Sequence, residues 1–169
     1  MGTRSAVAAD ATQIAEIYNY YIENSHATFE TDPIDAAEML RRMEDGWAHE
    51  YPFFVCEDKN GIVGYAYGRR FRPRFAYLHS IEVSVYVKHG TEGQNIGTAL
   101  YRQLISDVRE KNFHAVIGGI SLPNQASVRL HEKFGFEKVA HFREVGRKFD
   151  RWIDVGYWEL LLDKGVVDG

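Results

Sequence analysis

Hydrophobic and polar positions alternate in some stretches of the chain and follow helical spacing in others. Alternating or β-branched runs predict strands over residues 4–7, 53–57, 62–67, 76–87, 115–120, 136–148 and 152–162. Apolar residues at helical spacing predict helices over residues 10–24, 32–46, 97–111 and 125–134. This order, β-α-α-β-β-β-α-β-α-β-β, predicts a mixed α/β fold with a partly antiparallel sheet.

Turn and capping residues mark where several of these elements begin. Asp32-Pro33 has the form of a helix N-cap followed by a proline at the first helical position. Asn60-Gly61 predicts a tight hairpin turn, and Asn124 is placed to cap the last helix. No linker or repeat divides the chain, so residues 1–169 are expected to form one domain with a loose tail at residues 164–169.

Composition narrows the classes of protein. The formal charge of −4 leaves no excess of Lys and Arg for nucleic acid, and no apolar run reaches the roughly 18 residues that span a membrane. A single cysteine, Cys56, excludes a disulfide framework within one chain and indicates a reducing, cytoplasmic setting. The seven histidines have no ligand-like spacing, so no metal site is expected.

Residues 80–101 combine a β-branched run, a glycine-containing loop and the start of a helix. Such a layout presents backbone N–H groups and a helix N-terminus to an anionic group. Glu82 lies in the apolar run, on the predicted strand face of Ser84 and Tyr86. We expect this stretch to hold an acyl-carrying cofactor beside a general base. The alternative for Glu82 is an edge carboxylate paired with an arginine of residues 69–74.

Residues 69–74, with the sequence RRFRPR, place four arginines between two predicted strands. A charge run of this kind is usually a solvated loop. Here Phe71 and Pro73 alternate with the arginines, so a second interpretation is a loop that presents Arg72 and Arg74 to a carboxylate or phosphoryl-like group.

Several segments, taken in order, resemble one known family. They are ATFET at residues 27–31, FRPR at 71–74, EVSVYV at 82–87, IGTALY at 96–101, SLPNQASVRLHEKFGF at 121–136 and VGRKFDRWIDVGYW at 145–158. On these segments the chain resembles the GNAT superfamily of N-acetyltransferases, and within it the phosphinothricin and methionine sulfoximine N-acetyltransferases. The resemblance extends over nearly the whole chain.

The resemblance implies the GNAT fold, a mixed central sheet of six to seven strands with four helices and splayed parallel strands in the middle. It also implies direct transfer of acetyl from acetyl-CoA to the primary amine of a small amino-acid-like substrate. The residues expected to bind the coenzyme are Val85, Tyr86 and Val87 along the strand, Gly93, Gln94, Asn95, Ile96, Gly97 and Thr98 around the pyrophosphate, and Asn124 and Lys133.

The loop departs from the family pattern at Glu92 and Asn95, where a basic or amide residue and a glycine are usual. Asparagine adopts positive φ more readily than most residues, so the second change is tolerated. A carboxylate near a pyrophosphate repels it unless the carboxylate points away or is neutralised by Lys88 or His89. We therefore predict weaker CoA affinity than is usual in the family, measurable by isothermal titration.

The resemblance assigns Glu82 as the general base that takes the proton of the attacking amine. It assigns His131 as a second base or as the proton donor to the departing thiolate. Tyr86 and Tyr101 are alternative donors. A lone helix histidine is more often structural, and the cap role of Asn124 is compatible with coenzyme binding.

The substrate side is expected at Arg72 and Arg74, which would clamp the carboxylate or phosphinyl-like end of the acceptor. Further candidates, from loops that resemble the family's substrate walls, are Phe29, Glu30, Lys148, Phe149 and Trp152. For the aromatic residues among them, packing in the core is an equal alternative. The resemblance also implies a homodimer. Two other functions stay open: acetylation of a different amine (a polyamine, another amino acid or a protein N-terminus), and a non-catalytic CoA-binding module.

Overall fold

The computed structural model describes residues 1–162, which form a seven-stranded sheet flanked by helices. The strands are β1 (Gly2–Ser5), β2 (Phe53–Asp58), β3 (Gly61–Arg70), β4 (Ser80–Val87), β5 (Ala115–Leu122), β6 (Glu137–Lys148) and β7 (Arg151–Leu161). The helices are α1 (Ala11–Asn24), α2 (Ala36–Ala48), α3 (Ile96–Glu110) and α4 (Gln125–Lys133). The predicted order of elements is confirmed, and the tail predicted to be loose, residues 164–169, lies outside the described residues.

The strand order is β1-β2-β3-β4-β5-β7-β6, and every neighbouring pair is antiparallel except β4 and β5. The parallel pairing of β4 and β5 joins residues 80–82 to residues 115–117 and stops there. Beyond Glu82, β4 continues to Val87 beside β3 alone. The two central strands therefore part in the middle of the sheet, which confirms the mixed sheet with splayed parallel strands.

Helices cover both faces of the sheet, so the protein has an apolar core on each side. On one face α3 packs through Leu100 and Leu104, both fully buried, against β2, β3 and β4. On the other face α1 and α2 pack through residues such as Ile14 and Met43. In the part of the chain that the structure describes, no helix combines the length and the apolar character needed to cross a membrane.

The second helix begins later than Asp32-Pro33, the predicted start. Its N-cap is Asp35, whose side chain accepts the N–H of Glu38 at 2.8 Å. Asn19 of α1 binds both backbone groups of Ile34, at 2.9 Å to the N–H and 2.8 Å to the carbonyl. Because these bonds tie the Ile34 backbone to α1 through a side chain, its N–H and carbonyl are used outside the helix, which starts after it.

The strand predicted over residues 76–87 begins at Ser80, after a turn of 3-10 helix over Phe75–Tyr77. Its antiparallel partner β3 ends at Arg70, opposite Ile81. The preceding residues therefore have no strand beside them on that edge, and alternation alone does not make them a strand. Tyr77 and His79, which the alternation predicts within this strand, therefore lie outside β4.

Candidate active site

A cleft of about 460 Å³ opens where β4 and β5 part. We call it the central cleft. It is bounded by β4 beyond Glu82, by the carboxyl-terminal half of β5, by the first turn of α3 and by one face of α4. Of the residues predicted to bind the coenzyme, it is lined by Val85, Tyr86, Val87, Gly93, Asn95, Ile96, Gly97, Thr98, Asn124 and Lys133, but not by Gln94.

The loop before α3 turns through two residues with positive φ, Gly93 at 80° and Asn95 at 60°. Asn95 is the N-cap of α3, and its side chain makes no capping hydrogen bond. The N–H groups of the first turn therefore have no capping side chain. They lie at the end of α3 that borders the central cleft, where the helix dipole favours negative charge. These donors fit the pyrophosphate that the sequence predicts at this position.

Glu92, the least typical residue of this loop, is held against its own turn. Its Oε2 accepts the N–H of Gly90 at 2.9 Å, and its Oε1 lies 3.2 Å from Nδ1 of His89. The backbone N–H groups of Glu92 itself and of Gly90 lower the pKa of the Glu92 carboxyl. His89, rather than Lys88, is the basic neighbour in contact with Glu92, and the weaker CoA affinity stays a prediction.

The edge of β4 that faces β5 has no strand neighbour from residue 83 to residue 87 among the described residues. Its last carbonyl, that of Val87, accepts a hydrogen bond from the Tyr21 hydroxyl at 2.6 Å. Tyr21 thus closes one end of the central cleft from α1. Sequence reasoning did not single out Tyr21 for this cleft, nor the further lining residues Ala27, Ser84, Ser121 and Arg129.

Helix α4 contributes a residue at each end. Asn124 accepts the N–H of Ser127 through its side-chain oxygen at 3.1 Å, which confirms the predicted cap. Lys133, in the last turn, donates from Nζ to the Thr98 hydroxyl at 3.2 Å. That contact brings a positive charge to the N-terminus of α3, where the first-turn N–H groups lie.

A buried pair, His131 and Tyr101, forms the floor of the central cleft. Nδ1 of His131 donates to the carbonyl of Ser127 at 2.8 Å, so Nε2 is the acceptor of the Tyr101 hydroxyl, also at 2.8 Å. Burial lowers the pKa of His131, with the Ser127 carbonyl acting in the opposite direction, and burial raises the pKa of Tyr101. Gly118 of β5 makes room for the ring, because a Cβ there would overlap His131.

Glu82 is the last residue of β4 that pairs with β5; its side chain is 18% exposed and is not among the lining residues of the central cleft. A Cβ on Gly119 of β5, a lining residue of the central cleft, would stand 3.7 Å from its Oε1. Nη2 of Arg69, which is opposite Glu82 on β3, donates to the same oxygen at 3.0 Å. The pairing is the one anticipated as the alternative for Glu82, and the carboxylate also lies beside the cleft.

The loop over residues 25–32 closes the site on the α1 side. Lys148, buried near the end of β6, donates from Nζ to the carbonyls of Ser25 and Thr28, both at 2.8 Å. His26 contacts the Ser121 hydroxyl at 3.1 Å across the sheet. Burial lowers the pKa of Lys148. This lysine, predicted on the substrate side, therefore holds the loop in place.

Two other predicted substrate residues, Phe29 and Glu30, belong to this loop. Glu30 accepts hydrogen bonds from the Tyr18 hydroxyl at 2.8 Å and from two nitrogens of Arg42 at 2.7 and 3.1 Å. Phe29 is 41% exposed and packs on Gly146 of β6, where a Cβ would overlap its ring. Glu30 is thus engaged by its own neighbours, whereas Phe29 keeps an exposed edge.

None of the residues predicted on the substrate side lines the central cleft within one chain. Arg72 and Arg74 are exposed in the segment between β3 and β4, where the Arg72 guanidinium lies 5.0 Å from the ring centre of Phe71. Phe149 and Trp152 lie at the exposed end of the β6–β7 hairpin, at 54% and 63% exposure. Within residues 1–162, no group of three or more His, Cys, Asp or Glu side chains is arranged to hold a metal ion.

The chain is similar in sequence to known acetyltransferases. The sequence model of the family described as Acetyltransferase (GNAT) domain matches residues 3–156. The chain is 38% identical over 165 residues to the phosphinothricin N-acetyltransferase of Streptomyces coelicolor, covering 94% of this chain and 95% of that protein. It is 34% identical over 164 residues to the L-methionine sulfoximine/L-methionine sulfone acetyltransferase of Salmonella typhimurium, covering 97% and 96%.

A solved structure agrees with these relatives. It is that of a GNAT superfamily phosphinothricin acetyltransferase from Sinorhizobium meliloti in complex with acetyl-CoA. The TM-score is 0.93 at 34% identity, over 99% of this chain and 91% of that one. The matched part of the chain therefore includes β4, β5 and the start of α3.

Proposed function

This chain belongs to the GNAT acetyltransferase family, and we propose that it transfers acetyl from acetyl-CoA to the primary amine of a small amino-acid-like acceptor. The observation that carries the proposal is the position of Glu82, at the point where β4 and β5 part and beside a cleft whose donors suit a pyrophosphate. The relatives named for phosphinothricin and for methionine sulfoximine support an acceptor of that type.

In the proposed reaction, side chains of this protein accept one proton, from the amine, and donate another, to the thiolate. Acetyl-CoA supplies the acetyl group as a thioester and departs as a thiolate. Glu82 takes the proton of the attacking amine, directly or through a water molecule. The departing thiolate takes its proton from the Tyr101 hydroxyl, whose hydrogen is donated to Nε2 of His131 in this structure and would turn toward the cleft in the reaction. Solvent then returns a proton to Tyr101 and takes the one held by Glu82. His131 thus acts through Tyr101 in this proposal.

The coenzyme would be held mainly by backbone groups. Val85, Tyr86 and Val87 present an open strand edge, which suits the amide groups of a pantetheine arm. The first turn of α3 and Lys133 present donors and positive charge to the pyrophosphate. Asn124 lines the same cleft with its side-chain oxygen already used for the helix cap.

We also propose that residues 1–169 form one domain and that two copies form a homodimer in a reducing, cytoplasmic setting. The support for the dimer is the β6–β7 hairpin, which carries six large apolar side chains between 52% and 63% exposed. They are Val139, Phe142, Val145, Phe149, Trp152 and Leu161. A group of exposed apolar residues marks an interaction surface. Sedimentation equilibrium measures the oligomeric state, and a monomer at micromolar concentration would remove this part of the proposal.

A thiol-release assay with acetyl-CoA tests the function. The acceptors are phosphinothricin, methionine sulfoximine, a polyamine and a short peptide with a free N-terminus. We expect release with the two amino-acid analogues and little with the polyamine or the peptide. Release with the polyamine or the peptide alone would favour the alternative acceptors. CoA binding by calorimetry without release for any amine would favour a non-catalytic module, and no binding at millimolar CoA would refute both.

A further inference from the structure

Glu92 is the only acidic side chain among the described residues that line the central cleft. The lysine and the arginine of that lining, Lys133 and Arg129, lie on α4, and α3 begins at Ile96, just after Glu92. A carboxylate at this place opposes the pyrophosphate that the cleft is proposed to bind, because like charges repel. The direction in which Glu92 points therefore matters for coenzyme affinity.

The Glu92 carboxylate points back along its own turn, residues 88–92. Its Oε2 accepts the N–H of Gly90 at 2.9 Å, and its Oε1 lies 3.2 Å from Nδ1 of His89. A carboxylate only accepts hydrogen bonds, so Nδ1 of His89 carries the hydrogen of this contact. Both partners precede Glu92 in the chain, whereas the N-terminus of α3 follows it. The two hydrogen bonds thus draw the charge away from the start of α3.

The ring of His89 is held from its other side by α1. It stacks on Tyr20, with the ring centroids 4.3 Å apart and the planes 11° from parallel. The next residue of α1, Tyr21, donates its hydroxyl to the carbonyl of Val87 at 2.6 Å. Two consecutive tyrosines of α1 therefore contact the end of β4 and the turn that follows it.

Burial does not fix the pair formed by His89 and Glu92. Their side chains are 62% and 59% exposed, and within residues 1–162 His89 is the only basic side chain in contact with the Glu92 carboxylate. An exposed side chain of this length is free to change rotamer unless specific contacts restrict it. The N–H of Gly90 restrains one oxygen and His89 restrains the other. Loss of the His89 donor would therefore leave Oε1 free to turn toward the central cleft.

We propose that His89 is a positioning residue for coenzyme binding: stacked on Tyr20, it holds the Glu92 carboxylate away from the pyrophosphate site. His89 acts through Glu92 and takes no part in the chemical step. The inference rests on the proposed function, because the anion concerned is the pyrophosphate of acetyl-CoA. It accounts for how this cleft accommodates a carboxylate among its anion-binding groups.

Calorimetric titration with CoA tests the proposal, at one pH and one ionic strength because salt screens charges. His89→Phe keeps a ring to stack on Tyr20 and removes the donor to Glu92. We expect the Kd for CoA to rise about 3- to 10-fold, as repulsion between charges near a protein surface is modest. An unchanged Kd would overturn the proposal.

Glu92→Gln supplies the comparison that isolates the charge. The variant keeps an oxygen for the N–H of Gly90 and has no charge to repel the pyrophosphate. We expect it to bind CoA as tightly as wild type or up to about threefold more tightly. In the Glu92→Gln background, His89→Phe is expected to change the Kd by less than about twofold. An equal loss in both backgrounds would overturn the proposal, because His89 would then support the turn itself. Weaker binding by Glu92→Gln alone would overturn it as well.

His49→Phe is the matched control. His49 also stacks on a tyrosine, Tyr51, with ring centroids 5.9 Å apart, and its Nδ1 lies 3.9 Å from Oδ1 of Asp45. None of these three residues lines the central cleft, so the Kd for CoA is expected within about twofold of wild type. Tyr20→Leu removes the stacking partner and keeps the donor, and is expected to raise the Kd by less than His89→Phe does. An unchanged Kd in Tyr20→Leu would overturn the role given to Tyr20.

The thiol-release assay separates this inference from the proposed function. CoA binding with the expected pattern, but without thiol release from any amine, would support the role of His89 while refuting acetyl transfer. Thiol release with the same Kd for CoA in wild type and His89→Phe would overturn the role of His89 and leave the proposed function standing. No CoA binding by the wild-type protein would overturn both.

Discussion

The central cleft and the 25–32 loop that closes it are built from different kinds of contact. The cleft is lined almost entirely by two continuous stretches, β4 through the start of α3 and β5 through α4. The 25–32 loop is held by side chains from distant segments, as when Lys148 binds the carbonyls of Ser25 and Thr28. The cleft is therefore local in sequence, and its closure depends on the tertiary fold.

This difference indicates which substitutions should affect binding of the acceptor and which should affect binding of acetyl-CoA. A change in the loop or its supports is expected to alter acceptor binding while the coenzyme is still bound. Glu82 lies beside the central cleft, and Arg69 is its ion-pair partner on the neighbouring strand β3. A substitution there is expected to affect the chemical step or the acceptor, with CoA binding unchanged.

The largest effect is expected from Glu82→Gln, which keeps the size of the side chain and removes the base. Turnover is expected to fall roughly 100- to 10,000-fold, the usual contribution of a general base. Steady-state kinetics at neutral pH measures it, and calorimetry with CoA should give the wild-type affinity. Near-wild-type turnover would remove Glu82 from the mechanism and leave it as the ion-pair partner of Arg69.

Lys148→Met is expected to lower the free energy of unfolding and to affect the acceptor more than acetyl-CoA. The substitution keeps the aliphatic stem but leaves the carbonyls of Ser25 and Thr28 without their buried donor, which costs about 2–4 kcal/mol. Urea unfolding measures the loss, and Lys59→Met at the exposed β2–β3 turn is the control, expected within about 0.5 kcal/mol of wild type. The KM for the acceptor should rise more than the KM for acetyl-CoA. Equal rises would show that the loop supports both regions.

The pH dependence of stability tests whether His131, at the floor of the central cleft, resists protonation in the folded protein. Burial lowers the pKa of His131 below its usual 6.5, so the unfolded chain binds a proton that the folded chain resists. The free energy of unfolding should therefore fall as the pH drops below about 6.5, the ordinary histidine value. Urea unfolding at a series of pH values is expected to show a smaller decline for His131→Gln than for wild type.

Burial also lowers the pKa of His26, so some of the decline should remain in the His131→Gln variant. The exposed His49→Gln is the matched control, expected to keep the wild-type slope. An unchanged slope in His131→Gln would mean that His131 does not titrate differently in the folded state.

The smallest effect is expected from Gly146→Ala. The added Cβ would overlap the ring of Phe29, which is 41% exposed and has room to move. We expect a rise of about threefold in the acceptor KM, an unchanged KM for acetyl-CoA and a stability loss of less than about 1 kcal/mol. Gly2→Ala, where nothing lies within 4 Å of the new Cβ, is the control. A larger change in the KM for acetyl-CoA than in the KM for the acceptor would contradict the expectation that the 25–32 loop and its supports act on the acceptor.

Residues near one another in the chain were the ones that sequence reasoning placed best. The alternation along β4 put Glu82 on one face with Ser84 and Tyr86, and the cap at Asn124 is the one observed. The start of α2 was misplaced by three residues, from Asp32 to Asp35, because the competing contact comes from Asn19 of another helix. No periodicity in the chain records such a contact.

The acceptor residues show the same limit. The sequence predicts Arg72 and Arg74 from their arginine-rich segment, and their role stays a prediction. The arginine that the structure places in contact with Glu82 is Arg69, opposite it on β3. Lys148 was expected to face substrate, yet it is buried under the 25–32 loop. Register and burial decide these positions, and both depend on which strands become neighbours.

The sequence by itself determined the order of elements, the glycine-containing loop before α3 and the place of Glu82 on the strand before that loop. These features depend on hydrogen bonds and side-chain directions within one strand, one loop or one helix. Only the tertiary structure decided that β4 leaves β5 at Glu82, that Tyr101 donates to His131 and that Lys148 holds the loop. Each of these contacts joins residues far apart in the chain, so its geometry is set by packing and has no signature in local sequence.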